Sequence, residues 1–380
     1  MRILIALGTR PEIIKLAPLA VTLAQRSDVA ADLYWSGQHI ELADGLFELF
    51  GITPKRLEAE VMGQPTLAEK FGAMTRAFGE LLRSAKYDWV VVQGDTATAA
   101  AAATAGFLCN VPVAHVEAGL RTGDLRSPWP EEFNRHAIAL AASHHFPPTD
   151  ASAANLRAEG FADSTITITG NTVIDALLHV RRQVAAGYVP RSSQLAGLPL
   201  NRKIVLVTGH RRENFGEPMR RVLRALDTIA RQPDVSIVFP VHLNPDVQRE
   251  VYALLGGRPN IHLIEPLQYP VLVHLMAKAW LVVTDSGGIQ EEAPSFGLPI
   301  LITRESTERP EVVTAGFGQL VGTGEAAIVK AALPLLAGQS RVEIAGANPF
   351  GNGSSCRIIA DRLMQGAWLG TGTAHAEAAE

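Results

Sequence analysis

The sequence predicts an α/β protein with two Rossmann-like domains facing a central cleft. Three observations lead there. Short apolar runs ending in Gly, Asp, His or Thr alternate with longer amphipathic segments, the pattern of strands feeding helices in a mostly parallel sheet. The pattern restarts after Tyr188–Asn201, a stretch containing Pro, Ser and Gly that reads as a linker. The chain has 380 residues, 47% of them hydrophobic, more than one core usually sustains.

In the first half the strand candidates are Ile3–Leu7, Leu33–Ser36, Trp89–Gln93, Val113–Glu117 and His145–Phe146. Helical patterns follow at Glu12–Gln25, Thr96–Phe107, Glu131–Ser143 and Ala151–Glu159. The second half is expected to begin near Lys203, with strands at Ile204–Thr208, Val235–Pro240, Ile261–Ile264, Leu281–Thr284, Ile300–Thr303 and Gln319–Val321. The tail 369–380, rich in Ala, Gly and Glu, carries no periodic pattern and reads as flexible.

Composition narrows the function. A formal net charge of −4 without a Lys/Arg run argues against a nucleic-acid or anionic-membrane binder. The opening apolar run, Met1–Leu7, is too short for a signal segment or a membrane span. Cys109 and Cys356 stand alone, outside any metal-ligand or disulfide pattern, which fits a reducing, cytoplasmic compartment.

In open parallel sheets, ligands bind beyond the carboxyl ends of the strands, and the unusual residue clusters here fall at such places. After the first strand, Gly8 allows a tight turn, Pro11 suits a first helical turn, and Arg10 is either a phosphate ligand or a solvated loop arginine. Asp95, after the third apolar run, either caps the following helix or faces a ligand. Glu117 ends another strand, and Glu131 and Glu132 open a helix after Ser127-Pro-Trp-Pro130. Helix starts favour acidic residues through the helix dipole, yet three acidic sites in one half suggest chemistry more than any one alone.

The second half repeats the arrangement. His210, Arg211 and Arg212 after a buried-looking strand suit a diphosphate, and His242 lies in a similar loop. In Thr284-Asp-Ser286-Gly287-Gly288-Ile-Gln-Glu-Glu292, backbone N–H groups at a helix start are suited to a phosphate, with Glu292 placed for ribose hydroxyls. The other reading is a Ser-capped helix with acidic residues in its first turn. Gly322–Ala327 fits GxGxxA formally but has no βαβ unit after it, and phosphate-loop, HExxH and GxSxG motifs are absent.

Taken together, GTRPEIIKLAPL from Gly8, GDTATA around Asp95, HVEAGLRTGD from His115, SPWPEEFNR from Ser127, TGNTVIDAL from Thr169, TGHRRENFG from Thr208, PVHLNP from Pro240, TDSGGIQEEAPSFGLP from Thr284 and TERPE from Thr307 resemble the non-hydrolysing UDP-N-acetylglucosamine 2-epimerases. The motifs occur in family order over residues 1–365.

The resemblance implies a fold of the glycosyltransferase-B type, with a sugar-side domain over 1–182, a linker over 183–202 and a UDP-binding domain over 203–354. A C-terminal helix at about 355–368 would return to the first domain. It implies a UDP-sugar substrate, no cofactor or metal, and a homodimer. By motif, Asp95, Glu117, Glu131 and His210 are the implied catalytic residues. Arg10, Lys15, His242, Ser286, Gly287, Gly288, Glu292 and Arg309 are the implied UDP-sugar ligands.

The family's GQHxxML segment is here Gly37-Gln38-His39-Ile40-Glu41-Leu42-Ala43, without the Met, which leaves an allosteric role of Gln38 and His39 open. The implied reaction interconverts UDP-N-acetylglucosamine and UDP-N-acetylmannosamine through elimination of UDP. Two alternatives stand beside it: a sister epimerase acting on a UDP-2,3-diacetamido-glucuronic acid type of sugar, and a UDP-sugar glycosyltransferase.

Overall fold

A computed structural model describes residues 1–37, 45–57, 63–185, 195–209 and 214–366. The chain divides into two compact units, one of residues 1–172 with the segment from Ser354, the other of residues 173–353.

The first unit holds a six-stranded parallel sheet of β1 (Arg2–Leu7), β2 (Ala30–Trp35), β3 (Lys55–Arg56), β4 (Trp89–Gln93), β5 (Val113–Val116) and β6 (His144–Phe146), in the order β3-β2-β1-β4-β5-β6. Ile3 to Leu7 and Val90 to Val92 are fully buried. A parallel strand covered by helices on both faces is apolar throughout instead of alternating, which is why these runs were readable. Helix Leu67–Ser84 packs Met74, Phe78 and Leu82 onto this sheet and begins with a capping box in which Thr66 and Glu69 satisfy each other's backbone. Helix Ser355–Met364 returns to this unit, where Trp89 Nε1 donates to Leu363 O at 3.2 Å and Arg26 pairs with Asp361.

The second unit is built the same way from β7 (Lys203–Thr208), β8 (Val235–Pro240), β9 (Ile261–Ile264), β10 (Ala279–Thr284), β11 (Ile300–Ile302) and β12 (Gly318–Leu320), in the order β12-β11-β10-β7-β8-β9. Its core joins Val205, Val207, Ile237, Phe239, Leu281 and Val283 to Leu223, Leu226 and Ile229 of helix Glu217–Ala230.

The first unit closes at Thr172, earlier than the expected end near Arg182. Helix Thr172–Ala185 groups with the second unit through specific contacts: Arg181 lies 5.6 Å over the Phe296 ring, and Leu178 packs against the backbone of Gly353. Of the expected linker, Leu195, Leu198 and Leu200 pack on Ile204, Val238 and Leu275, while 186–194 lie outside the described residues, as does the expected tail 369–380.

Candidate functional site

Each sheet has its topological switch point at its centre, between β1 and β4 in the first unit and between β7 and β10 in the second. Strand order reverses there, so the loops leaving the two neighbouring strands diverge and open a crevice at the carboxyl ends. Gly8–Arg10 and Asp95 follow the two switch-point strands of the first unit and Ser286–Gly288 follow β10 in the second, while Glu117, His242 and Arg309 follow β5, β8 and β11.

In the first unit the β1 and β4 loops are joined by Glu12. Its Oε2 accepts from Thr9 N at 2.6 Å and Thr9 Oγ1 at 2.8 Å, and its Oε1 accepts from Thr96 Oγ1 at 2.8 Å. Burial pushes the Glu12 carboxyl up to about 7; the Thr9 and Thr96 hydrogen bonds pull the other way, and the charge of Asp95 adds to the rise. Thr96, not Asp95, caps helix Ala97–Leu108, accepting from Ala99 N at 3.0 Å.

That leaves the Asp95 carboxylate to Arg135, whose Nε and Nη2 both reach its Oδ2 at 2.8 Å. Arg135 Nη1 donates to Glu132 Oε2 at 2.8 Å, and Glu132 Oε1 accepts from Thr122 N at 2.8 Å and Gly123 N at 3.1 Å. Burial opposes the Glu132 charge, but the Thr122 and Gly123 amides and Arg135 outweigh it and hold its pKa below the usual carboxylate range. Burial likewise opposes the Arg135 charge, and the two carboxylates outweigh it.

Glu117 follows β5 with φ of 60°, the left-handed region that a non-glycine residue enters at a cost of about 1–3 kcal/mol. Two residues on, a Cβ at Gly119 would lie 2.2 Å from the carbonyl oxygen of Ser152, so only glycine lets this loop pack against helix Asp150–Ala158. The buried Glu117 carboxylate pairs through Oε2 with Lys15 and accepts from Gln93 Nε2 at 2.9 Å. Glu131 is the first residue of helix Glu131–Ala141, and its Oε2 is buried without a hydrogen-bond partner among the described residues. Beneath these loops His115 Nε2 donates to Gly94 O at 2.8 Å, and burial pushes this imidazole down to about 3, so it is neutral.

In the second unit Thr208 Oγ1 and Thr284 Oγ1 meet at 2.6 Å across the switch point, and Thr284 Oγ1 also accepts from Ser286 N at 2.9 Å. Ser286 stands at the N-cap of helix Gly287–Glu292 but makes no capping bond with its side chain, unlike the simple Ser-capped start. A Cβ at Gly287 would fall 2.5 Å from Arg309 Cζ and Nη1, so the guanidinium lies directly on this glycine, whereas one at Gly288 would meet nothing within 4 Å. Arg309 Nε donates to Glu291 Oε1 at 2.6 Å. Glu292 is buried and accepts from Tyr269 OH at 3.1 Å.

Thus in the first unit Asp95 and Glu117 stand after the neighbouring strands β4 and β5, Glu131 opens the helix after β5, and Arg10 and Lys15 lie on helix Arg10–Ala24 after β1, with Lys15 on Glu117. The second brings together Ser286, Gly287, Gly288, Glu292 and Arg309. His242 is exposed in the loop after β8, its Nδ1 accepting from Asn244 N at 3.1 Å. His210, Gln38 and His39 lie outside the described residues.

Sequence reasoning assigned no role to Glu12, Gln93, Arg135, Tyr269 or Glu291. For Glu12 a local signal existed, the Thr9-x-x-Glu12 capping box. Arg135 was legible only as the i+3 partner of Glu132, because Asp95 is 40 residues away.

A family model described as UDP-N-acetylglucosamine 2-epimerase matches residues 21–364. The chain is 46% identical over 371 residues to a UDP-N-acetylglucosamine 2-epimerase of Escherichia coli O157:H7, covering 96% of this chain and 98% of that one. The crystal structure of the Neisseria meningitidis UDP-GlcNAc 2-epimerase bound to UDP-GlcNAc matches with a TM-score of 0.89 at 38% identity, over 96% of this chain and 100% of that one. The Methanocaldococcus jannaschii enzyme, in complex with UDP-GlcNAc and UDP, matches with a TM-score of 0.80 at 33% identity, over 96% and 100% of the two chains. The two parallel sheets are those of the glycosyltransferase-B type of α/β fold, and with relatives this similar over nearly its full length, the chain belongs to the non-hydrolysing UDP-N-acetylglucosamine 2-epimerase family.

Proposed function

We propose that this enzyme interconverts UDP-N-acetylglucosamine and UDP-N-acetylmannosamine by eliminating UDP and adding it back. The observation that carries this reading is the group of carboxylates in the first unit. Asp95 lies on Arg135, Glu117 on Lys15 and Gln93, and the Glu131 Oε2 atom is buried without a described partner.

The chemistry calls for such a set. The C2 proton of the sugar has no neighbouring carbonyl to acidify it, so direct removal is slow. As the bond from C1 to the diphosphate oxygen breaks, positive character at C1 acidifies C2–H. A base takes that proton, the electron pair forms the C1=C2 bond of 2-acetamidoglucal, and UDP leaves with the electrons of the broken bond. In the return step a carboxylic acid protonates C2 on the opposite face while UDP re-forms its bond to C1. Two faces require acid/base groups on two sides, and Asp95, Glu117 and Glu131 fill these roles.

Departure of UDP is eased by cations and backbone dipoles. In this reading Arg10, His210, His242, Ser286, Gly287, Gly288 and Arg309 hold the diphosphate and Glu292 the ribose. Lys15 and Gln93 hold the Glu117 side chain in place through its Oε2. The relatives named for this reaction, and the two crystallised with UDP-GlcNAc, support the assignment.

A homodimer belongs to the proposal, supported by Phe107, Leu108 and Leu140, exposed at 65%, 72% and 76% near the C-terminal ends of two helices that pack together. Among the described residues no helix is long and apolar enough to cross a membrane.

The test incubates the purified protein with UDP-N-acetylglucosamine in deuterium oxide and follows the sugar by NMR. Loss of the C2 proton with growth of UDP-N-acetylmannosamine and little UDP is the expected result. UDP release that depends on an added acceptor, without C2 exchange, would identify a glycosyltransferase. No reaction would contradict the substrate assignment.

A further inference from the structure

We propose that Arg135 is the positioning residue that aligns Asp95 with Glu131 for the reaction, a role that rests on the epimerase reading above. The helix start from Glu131 to Arg135 carries one of the three proposed acid/base carboxylates and touches Asp95 and the loop that follows Glu117. Glu131 is its first residue. Glu132, with a side chain that is 0% exposed, holds the backbone N–H groups of Thr122 and Gly123 in the loop that follows Glu117. Asn134 Nδ2 donates to the Asp95 carbonyl at 2.8 Å, and Arg135 grips the Asp95 carboxylate with two donors.

Arg135 is the only one of these side chains that binds two anions, bridging Glu132 and Asp95 in a planar fork. Both ends of the bridge are well fixed: Glu132 is locked by two amides, and the Asp95 backbone is held by Asn134. The Arg135 side chain is 12% exposed and the Asp95 carboxylate 25% exposed, so the bridge is sheltered while Asp95 retains an open side. A surface ion pair would contribute little to placement, whereas a sheltered bridge whose two Arg135 donors converge on Asp95 Oδ2 fixes where that oxygen stands and leaves Oδ1 to the open side. Arg135 acts through Asp95 and is not itself a catalytic residue.

The experiment compares wild type, Arg135→Ala, Asp95→Asn and the double variant, with kcat, KM and UDP affinity measured for each. Arg135→Ala should lower kcat by about 10²-fold, the scale of a 1 Å misplacement, while KM and UDP affinity change by less than about threefold. In the Asp95→Asn background the same change should cost less than about threefold, since the carboxylate it positions is gone. Added guanidinium should restore part of the Arg135→Ala turnover and none in the double variant.

Arg135→Lys provides the same comparison if the alanine variant does not fold. Its single ammonium keeps the charge but not the fork, and turnover should stay at least about tenfold down. Equal losses in both backgrounds, or full activity of Arg135→Lys, would overturn the proposal. Wild-type turnover, measured alongside, tests the epimerase reading separately: an inactive wild type that binds UDP counts against that reading.

Discussion

Lys15 and Glu117, 102 residues apart in sequence, form a buried ion pair beneath the carboxyl ends of the first sheet, with Glu117 held at φ of 60°. A left-handed glutamate that also takes a cation and an amide donor is fixed in backbone, charge and orientation together. Glu117→Gln keeps the shape and removes the base, so turnover should fall about 10²–10⁴-fold with UDP affinity nearly unchanged. Near-normal turnover would remove Glu117 from the acid/base set. Lys15→Met leaves the carboxylate buried without its cation and should destabilise the first unit by about 3–5 kcal/mol, measured by denaturant unfolding. Adding Glu117→Gln to it should recover part of that loss.

Gly287 and Gly288 separate packing from ligand binding. Alanine at 287 drives a Cβ into the Arg309 guanidinium, which must swing off Glu291, so UDP affinity should fall and the thermal unfolding temperature should fall slightly. Alanine at 288 meets no protein atom within 4 Å. It should leave stability unchanged and weaken UDP only because the methyl group intrudes on the phosphate. Calorimetric titration with UDP beside thermal melts resolves the two effects. Unchanged UDP affinity in Gly288→Ala would place the diphosphate elsewhere.

Stability should respond to pH with two opposite signs. Burial lowers His115 to about 3 and His144 and His145 to about 4, below the unfolded value of about 6.5. Below pH 6.5 the unfolded chain takes up protons that the folded chain refuses, so stability is lost as pH falls from 6.5 towards 4. Glu12 works the other way. Its folded value of about 7 lies above the unfolded one, and its contribution is lost as pH rises from about 4.5 through 7. Glu12→Gln suits the site, because the amide oxygen accepts from Thr9 and the amide nitrogen donates to Thr96 Oγ1. Melts from pH 5 to 8 should show this variant losing more stability than wild type on acidification. Identical profiles would contradict the Glu12 assignment.

Leu108→Glu combined with Leu140→Glu should convert the proposed dimer into a monomer with unchanged thermal unfolding of each unit, read by light scattering during size-exclusion chromatography. A dimer that survives both charges would place the interface on another face.

The legible parts of this molecule were those whose signals are local. Strand β4 lies where its apolar run put it, since a parallel strand covered on both faces is written as an uninterrupted run, and β8 and the part-exposed edge strand β9 kept enough of that pattern to be read despite Ser236 and His262. Lys55–Arg56 was not anticipated: two exposed polar residues at a sheet edge carry no such signal. Helix Leu67–Ser84 also went unnamed, although Thr66 and Glu69 mark its start. Asp95, Glu117 and Ser286 lie after strand ends, as their sequence positions implied, because an apolar run and the polar residues that close it are adjacent in sequence. Their partners were not legible, because the contacts of Arg135 with Asp95 and of Arg309 with Glu291 arise only when distant segments fold together.

In the proposed reaction the bond between C1 and the diphosphate breaks and re-forms in every turnover. This is tested most directly with UDP-N-acetylglucosamine carrying oxygen-18 in the bridge between the sugar and the β-phosphorus. Cleavage lets the released phosphate rotate, so the label should move into non-bridging positions, read by phosphorus NMR, as UDP-N-acetylmannosamine forms. Epimerisation with the label kept entirely in the bridge, and with no UDP or 2-acetamidoglucal accumulating on prolonged incubation, would contradict the elimination mechanism.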